Sequence, residues 1–180
     1  MKYVVLLRGI NISGKNKIVM SDLKLLLEKN NYKNVLAYLN SGNVILESND
    51  DEQKIMNDIH KLIKKGFNLE IPVFAIRSED LADVFKNHPT WWKTGNKDIY
   101  DNLIFIIPPT TFTEVYNELG SPKEDLEQIA EYHNTIFWSF DLKNYRKSTW
   151  WVKTASTDIK DKITIRTANT IEKLLDLCQK

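Results

Sequence analysis

The chain has 180 residues, of which 42% are hydrophobic and 11% aromatic, enough for a packed core, so a disordered protein is excluded. Its 25 basic and 24 acidic residues leave a formal net charge of +1. Overall charge therefore predicts no attraction to nucleic acid or to an anionic membrane, and any anion must be bound by a local group of cations.

The single cysteine, Cys178, excludes an internal disulfide and a cysteine-rich metal site, and we interpret it as a packing residue. None of the three histidines has the spacing of a metal site, and no motif indicates a cofactor. The apolar run at residues 3–7 is too short for a signal peptide or a membrane span. We expect a cytoplasmic protein without membrane association. The sequence does not determine the oligomeric state, although a monomer is favoured.

The first half of the chain predicts the element order β-α-β-β-α-β. Residues 3–7 form a continuous apolar run, typical of a central strand. A helix capped by Ser21 follows, and then two strands that flank a hairpin turn at residues 40–43. A second helix ends at Gly66, and a strand at residues 71–76 completes a ferredoxin-like unit.

The second half shows the same order, beginning with a strand at residue 103 and a helix capped by Thr110 or Thr111. We therefore predict an α+β protein of two ferredoxin-like halves, related by internal duplication, with an additional helix at the C-terminus. The predicted halves are residues 1–77 and 102–180. A helix and linker at residues 78–101 connect them.

The predicted topology brings two polar segments together. In a split β-α-β-β-α-β sheet of order 4-1-3-2, neighbouring strands are antiparallel. The end of the first strand and the turn between strands two and three then lie at the same end of the sheet. We therefore expect the loop at residues 8–17 to lie beside the turn at residues 40–43.

The loop at residues 8–17 carries the strongest functional signal. It combines two glycines with three cations and two asparagines, a mixture that core packing does not require: Arg8, Lys15, Lys17, Asn11 and Asn16. Such a loop is typical of a surface that binds an anion.

Its glycine spacing, Gly9-x-x-x-x-Gly14-Lys15-Asn16, differs from a P-loop at one position. Asn16 stands where a hydroxyl would ligate magnesium, and no helix begins directly after it. The pattern therefore does not favour a nucleoside triphosphatase.

The role of each polar residue allows two interpretations. Arg8 ends a central strand, where a guanidinium needs partners for five donors, so it either braces the neighbouring turn or binds a ligand. Ser41 and Asn43 either form only a hairpin turn or also face that ligand. Lys15 and Lys17 are either solvated or bound to the ligand.

Aromatic residues alternate with cations between residues 145 and 166, where Trp150, Trp151 and Arg166 are examples. This pattern fits stacking on a nucleotide or on single-stranded nucleic acid. The alternative is that the aromatic rings pack in the core while the cations extend to solvent.

Three groups of residues carry a family resemblance. They are Leu7-Arg8-Gly9-Ile10-Asn11 with Gly14-Lys15-Asn16-Lys17, then Tyr38-x-x-Ser41-Gly42-Asn43-Val44, and the tail Thr164-Ile165-Arg166-Thr167-Ala168-Asn169-Thr170. These groups resemble motifs of the bacterial DUF1697 family, whose function is unknown. The resemblance implies two ferredoxin-like halves and no particular activity.

Two positions depart from the family pattern. Ser13 stands where the family usually has glycine, which restricts the loop conformation. Thr167 stands where it usually has asparagine. If the tail motif is the start of a helix, Asn169 or Thr170 can still provide its cap.

Our leading hypothesis is a protein that binds a phosphate-bearing ligand, either a nucleotide or a nucleic-acid segment. The candidate ligand-binding residues are Arg8, Asn11, Lys15, Asn16, Lys17, Ser41, Asn43 and Arg166. The alternatives are an enzyme acting on a phosphorylated small molecule, for which no catalytic residue is evident, and a structural or protein-binding module without a ligand.

Overall fold

The computed structural model describes residues 1–180 and divides them into two compact units. The first unit comprises Met1–Ala82 and Lys173–Lys180, and the second comprises Asp83–Glu172. Each unit contains one four-stranded antiparallel sheet.

The first unit follows the predicted order. Its elements are β1 (Lys2–Leu7), α1 (Met20–Lys29), β2 (Lys33–Tyr38), β3 (Asn43–Glu47), α2 (Glu52–Phe67), β4 (Val73–Arg77) and the start of α3 (Ser78–Lys86). The sheet order is β2-β3-β1-β4, in which Val5 of β1 lies opposite Val44 of β3 and Ala75 of β4. The predicted ferredoxin-like topology is confirmed.

The second unit has the same topology. Its elements are β5 (Ile99–Ile106), α4 (Phe112–Leu119), β6 (Glu127–Tyr132), β7 (Thr135–Asp141), α5 (Thr149–Ser156), β8 (Ile163–Thr167) and the start of α6 (Ala168–Cys178). The sheet order is β6-β7-β5-β8, which matches that of the first unit. Of the two predicted caps, Thr111 is the one that caps α4, in a capping box with Glu114.

The strand β1 is the buried centre of the first sheet. Each side chain from Tyr3 to Leu7 is at most 1% exposed. A fully buried valine or leucine contributes roughly 1.5–3 kcal/mol to stability, so this short run accounts for a large share of the core.

Some element ends differ from the predictions. The predicted cap at Ser21 is wrong, because α1 begins at Met20 and the Val19 carbonyl accepts the first helical hydrogen bonds. Gly66 does not end α2, since the helix continues to Phe67 and stops at Asn68, whose φ is 55°. Asparagine tolerates this left-handed conformation, so a glycine is not required.

Two strand boundaries also move. The strand β4 starts at Val73, after Pro72, because proline lacks the N–H that a ladder position requires. The strand β5 starts at Ile99, inside the predicted linker, because its polar first residues pair with β7: Tyr100 lies opposite Phe140.

A buried carboxylate joins β6 to α5 in the second unit. Glu127 is 3% exposed and accepts a hydrogen bond from the Trp138 indole N–H at 3.2 Å. It also accepts from the backbone N–H groups of Thr149 and Trp150, at distances of 2.5 and 3.1 Å. These amides open a helix and have no partner inside it, so an anion there stabilises the helix end.

The turn between β2 and β3, residues 39–42, packs directly on the end of β1. The backbone N–H of Leu7 donates to the Gly42 carbonyl at 2.8 Å. Gly42 has a φ of +80°, and a Cβ there would lie 2.7 Å from Leu7 Cβ and 2.9 Å from Ile10 Cδ1. Only glycine allows this approach.

We expect Gly42→Ala to lower the free energy of unfolding by about 2–4 kcal/mol, because it adds both a steric overlap and left-handed strain. Gly9→Ala is the matched control. Gly9 has a φ of +70°, but a Cβ there would have nothing within 4 Å. The control should lose only the strain component, about 1–2 kcal/mol. Urea unfolding followed by circular dichroism measures both, and equal losses would contradict the packing argument.

We expect Glu127→Gln to lower the free energy of unfolding by about 2–3 kcal/mol. The carboxamide places an N–H donor where the carboxylate accepts hydrogen bonds from N–H groups. Glu131→Gln, at an exposed position of the same strand, is the control and should change stability by less than about 0.5 kcal/mol. Urea unfolding of both variants measures the difference. A Glu127→Gln protein as stable as the control would refute this role.

Candidate anion site at the end of the first sheet

The loop at residues 8–17, called the basic loop below, contacts the β2–β3 turn. The Asn11 side-chain Nδ2 donates to the Asn40 carbonyl at 2.9 Å. This contact adds to the backbone bond between Leu7 and Gly42. The antiparallel pairing of β1 with β3 places both segments at one end of the sheet, as the topology predicts.

The carboxamide of Asn11 holds the basic loop in place. Besides Asn40, its Nδ2 donates to the Ile18 carbonyl at 2.9 Å, and its Oδ1 accepts from the Ile18 N–H at 2.9 Å. Both side-chain hydrogens are thus used within the protein. This geometry makes Asn11 a structural brace between loop and turn.

The remainder of the loop is equally constrained. Asn16 Nδ2 donates to the Gly9 carbonyl at 3.0 Å, and the Lys15 N–H donates to the Ile12 carbonyl at 2.9 Å. The residues with positive φ in the loop are Gly9, Asn11, Ser13, Gly14 and Asn16. Ser13 adopts a φ of 49°, a conformation that a glycine would adopt without strain.

The turn contributes an exposed polar side chain, Ser41, and the first residue of β3 contributes a buried one, Asn43. Asn43 is fully buried, and its Nδ2 donates to the Tyr38 carbonyl at 2.9 Å and to Ser41 Oγ at 3.1 Å. Ser41 itself is exposed. Asn43 therefore ties the turn together, while Ser41 lies on the surface.

Three cations lie on or beside this braced surface. Arg8 is partly buried, and its backbone N–H donates to the Pro72 carbonyl at 3.0 Å. Lys15 and Lys17 are exposed and form no ion pair. Residues 1–21 and 29–46 contain no aspartate or glutamate. The basic loop and the turn therefore contain positive charge and no carboxylate of their own.

Arg166 belongs to the second unit, unlike the other predicted site residues. It is 8% exposed, and its Nη1 donates to Thr164 Oγ1 at 2.9 Å and to the Ile165 carbonyl at 2.8 Å. The next residue, Thr167, accepts the Thr170 N–H on its Oγ1 at 3.2 Å. Thr167 therefore caps α6, and the prediction of Asn169 or Thr170 as the cap is wrong.

The two tryptophans of α5 differ, because Trp150 packs in the core whereas Trp151 remains partly exposed. Trp150 is fully buried, and its indole N–H donates to the Gly120 carbonyl at 2.8 Å. Trp151 is 40% exposed, with its ring centroid 4.9 Å from that of Tyr145. Arg146 lies over the Tyr145 ring at 5.6 Å.

Cys178 is half-buried, and burial raises the pKa of its thiol. A raised pKa lowers the thiolate fraction and disfavours nucleophilic chemistry. No three His, Cys, Asp or Glu side chains converge in a geometry that would hold a metal ion. No helix combines the length and the apolar composition that crossing a membrane would require.

Nothing in the sequence pattern singles out Tyr32, which lines a cavity at the other end of the first sheet. Burial, and secondarily the charge of Asp58, raises the pKa of Tyr32 to about 12. The residues of this cavity come from separate elements of the first unit. Those on α2 recur at helical spacing, but no motif connects them to Tyr32.

Comparison with known proteins gives a family and a fold. The family model described as "Protein of unknown function (DUF1697)" matches residues 1–137. Among solved structures, the conserved bacterial protein SP0830 from Streptococcus pneumoniae superposes with a TM-score of 0.86 at 25% identity, covering 98% of this chain and 97% of that chain. No curated protein matches the sequence. Because the family model spans most of the chain, including the basic loop and the β2–β3 turn, the protein belongs to the DUF1697 family.

Proposed function

We propose that this protein binds a phosphate-bearing ligand, a nucleotide or a nucleic-acid segment, on the surface formed by the basic loop and the β2–β3 turn. The observation that carries the proposal is a braced loop that exposes Lys15 and Lys17 without any ion pair. Cations that are not neutralised by nearby carboxylates keep a positive surface potential, which attracts a phosphate.

The bracing supports binding because it reduces the ordering cost. The side chains of Asn11, Asn16 and Asn43 donate to backbone carbonyls and so hold the loop and the turn in one conformation. A ligand that meets a preorganised loop loses less free energy to its ordering. We therefore assign these three asparagines to positioning rather than to ligand contact.

The ligand contacts in this proposal come from the cations and from exposed polar groups. Arg8, Lys15 and Lys17 supply positive charge, and Ser41 supplies a surface hydroxyl. The backbone N–H groups of Ser13 and Gly14 donate to no protein acceptor and add two further donors. Charge-assisted hydrogen bonds contribute roughly 1.5–3 kcal/mol each, so two or three correspond to millimolar to micromolar affinity.

The surface chemistry favours binding over catalysis. Residues 8–17 and 39–42 contain no histidine, aspartate, glutamate or cysteine. The segments that carry the cations therefore contain serine hydroxyls but no histidine or carboxylate that could activate one as a general base. The alternative of an enzyme acting on a phosphorylated small molecule has no supporting residue here.

We expect the double variant Lys15→Gln/Lys17→Gln to bind its ligand at least about tenfold more weakly, because two charge-assisted contacts are lost. Fluorescence anisotropy with a labelled oligothymidylate of about ten nucleotides tests the nucleic-acid source. Calorimetry with AMP and ATP tests the nucleotide source. For the oligonucleotide, the slope of log affinity against log salt should fall by about 1.4, or about 0.7 for each lost phosphate contact.

The matched control is Lys147→Gln/Lys173→Gln, which removes the same charge at two exposed lysines that form no ion pair. It should keep the wild-type affinity. Failure of every probe to bind the wild-type protein would reject the proposal. Equal weakening in both double variants would also reject it, since net charge alone would then explain the effect.

A further inference from the structure

A cavity of about 400 Å³, lined mostly by polar and charged residues, lies in the first unit. It is lined by the residues that follow α1, by those that follow β3, and by one face of α2. The antiparallel pairing places Lys33 opposite Glu47 at this end of the sheet and Tyr38 opposite Asn43 at the end with the basic loop. The cavity is therefore separate from the surface proposed above, and its volume is within the range of small-molecule sites, about 300–1,000 Å³.

The side chain of Tyr32 gives the cavity a hydroxyl that the protein itself does not bond. Tyr32 is 7% exposed and lines the cavity, yet its hydroxyl has no hydrogen-bond partner in the protein. All fully buried polar side-chain atoms of the protein are paired, so this hydroxyl is open to the cavity. The hydroxyl can therefore donate to and accept from a water or a ligand in the cavity.

The α2 face beside Tyr32 carries both ion-paired residues and lysines without an ion pair. Residues 54, 58, 61 and 65 recur at helical spacing and line the cavity together. Lys54 Nζ lies 3.2 Å from Asp50 Oδ2 and 2.6 Å from Asp58 Oδ2, so these carboxylates are already paired. Lys61 and Lys65 are exposed and form no ion pair.

The residue types of the lining favour a ligand with polar groups. Leu62 is the only aliphatic side chain among the lining residues, and the others are polar or charged. Two cations without a carboxylate partner favour an anion. The Tyr32 hydroxyl and the outer oxygens of Asp50 and Asp58 offer donors and acceptors that suit ligand hydroxyl groups.

We propose that this cavity binds a small hydroxylated organic anion of the sugar phosphate or sugar acid class. Lys61 and Lys65 bind its anionic group, and Tyr32 and Asp58 bond its hydroxyl groups. This site is independent of the phosphate surface on the basic loop.

Titration calorimetry with four probes tests the proposal: glucose 6-phosphate, gluconate, glucose and inorganic phosphate. We expect at least one of the two sugar anions to bind more tightly than both glucose and inorganic phosphate, because only the sugar anions combine charge with hydroxyl groups. Lys61→Gln/Lys65→Gln should weaken that binding at least about tenfold. Tyr32→Phe should weaken it by about threefold to tenfold through the loss of one neutral hydrogen bond.

The control Lys147→Gln/Lys173→Gln removes the same charge away from the cavity and should bind like wild type. Thermal unfolding shows whether Tyr32→Phe remains folded. If that variant does not fold, Lys61→Gln/Lys65→Gln still tests the site, because both lysines are exposed. Absence of binding by both sugar anions would overturn the proposal, as would equal affinity in the cavity variants and the control. Loss of sugar-anion binding in Lys15→Gln/Lys17→Gln alone would show that the ligand binds at the basic loop, and it would likewise overturn the proposal.

Discussion

The approach of Gly42 to the end of β1 is the contact on which the candidate phosphate surface depends. The missing side chain allows the turn to reach Leu7 and Ile10, and the Leu7 N–H bonds to the Gly42 carbonyl. Only with the turn in this position does the Asn40 carbonyl lie within reach of Asn11. Loop conformation, turn position and the end of the central strand are therefore one cooperative arrangement.

The first sheet also separates two kinds of polar surface. At the end with the basic loop, the asparagines bond to the protein and leave cations exposed. At the opposite end, carboxylates and a lysine bond to one another and leave a tyrosine hydroxyl without a partner. Since antiparallel strands alternate in direction, each end collects loops that are distant in sequence, and each acquires its own chemistry.

Much of the fold follows from periodicity and turn chemistry. The apolar run of β1, the hairpin turn and the cap at Thr111 are local signals, and the two-unit topology follows from their order. The cap of α1 could not be predicted, because a backbone carbonyl at Val19 takes the place of a side chain. The role of Glu127 could not be predicted either, because its partners on α5 lie more than twenty residues away in the sequence.

For the candidate site, topology predicted which segments meet but not what each side chain does there. Asn11 and Lys15 look alike as polar loop residues in the sequence. In the structure, the carboxamide of Asn11 bonds inward while Lys15 extends to solvent. No sequence pattern predicts the cavity around Tyr32, because a tyrosine among lysines and aspartates is also typical of an ordinary amphipathic surface.

The bracing of the basic loop also has a chemical consequence. A single nitrogen, Asn11 Nδ2, donates to two carbonyl groups at once. Hydrolytic deamidation at this position would replace that nitrogen with an oxygen that repels both carbonyls, and it would place a negative charge among three cations. The conformation of the loop and the strength of its positive charge would thus be reduced by the same covalent change.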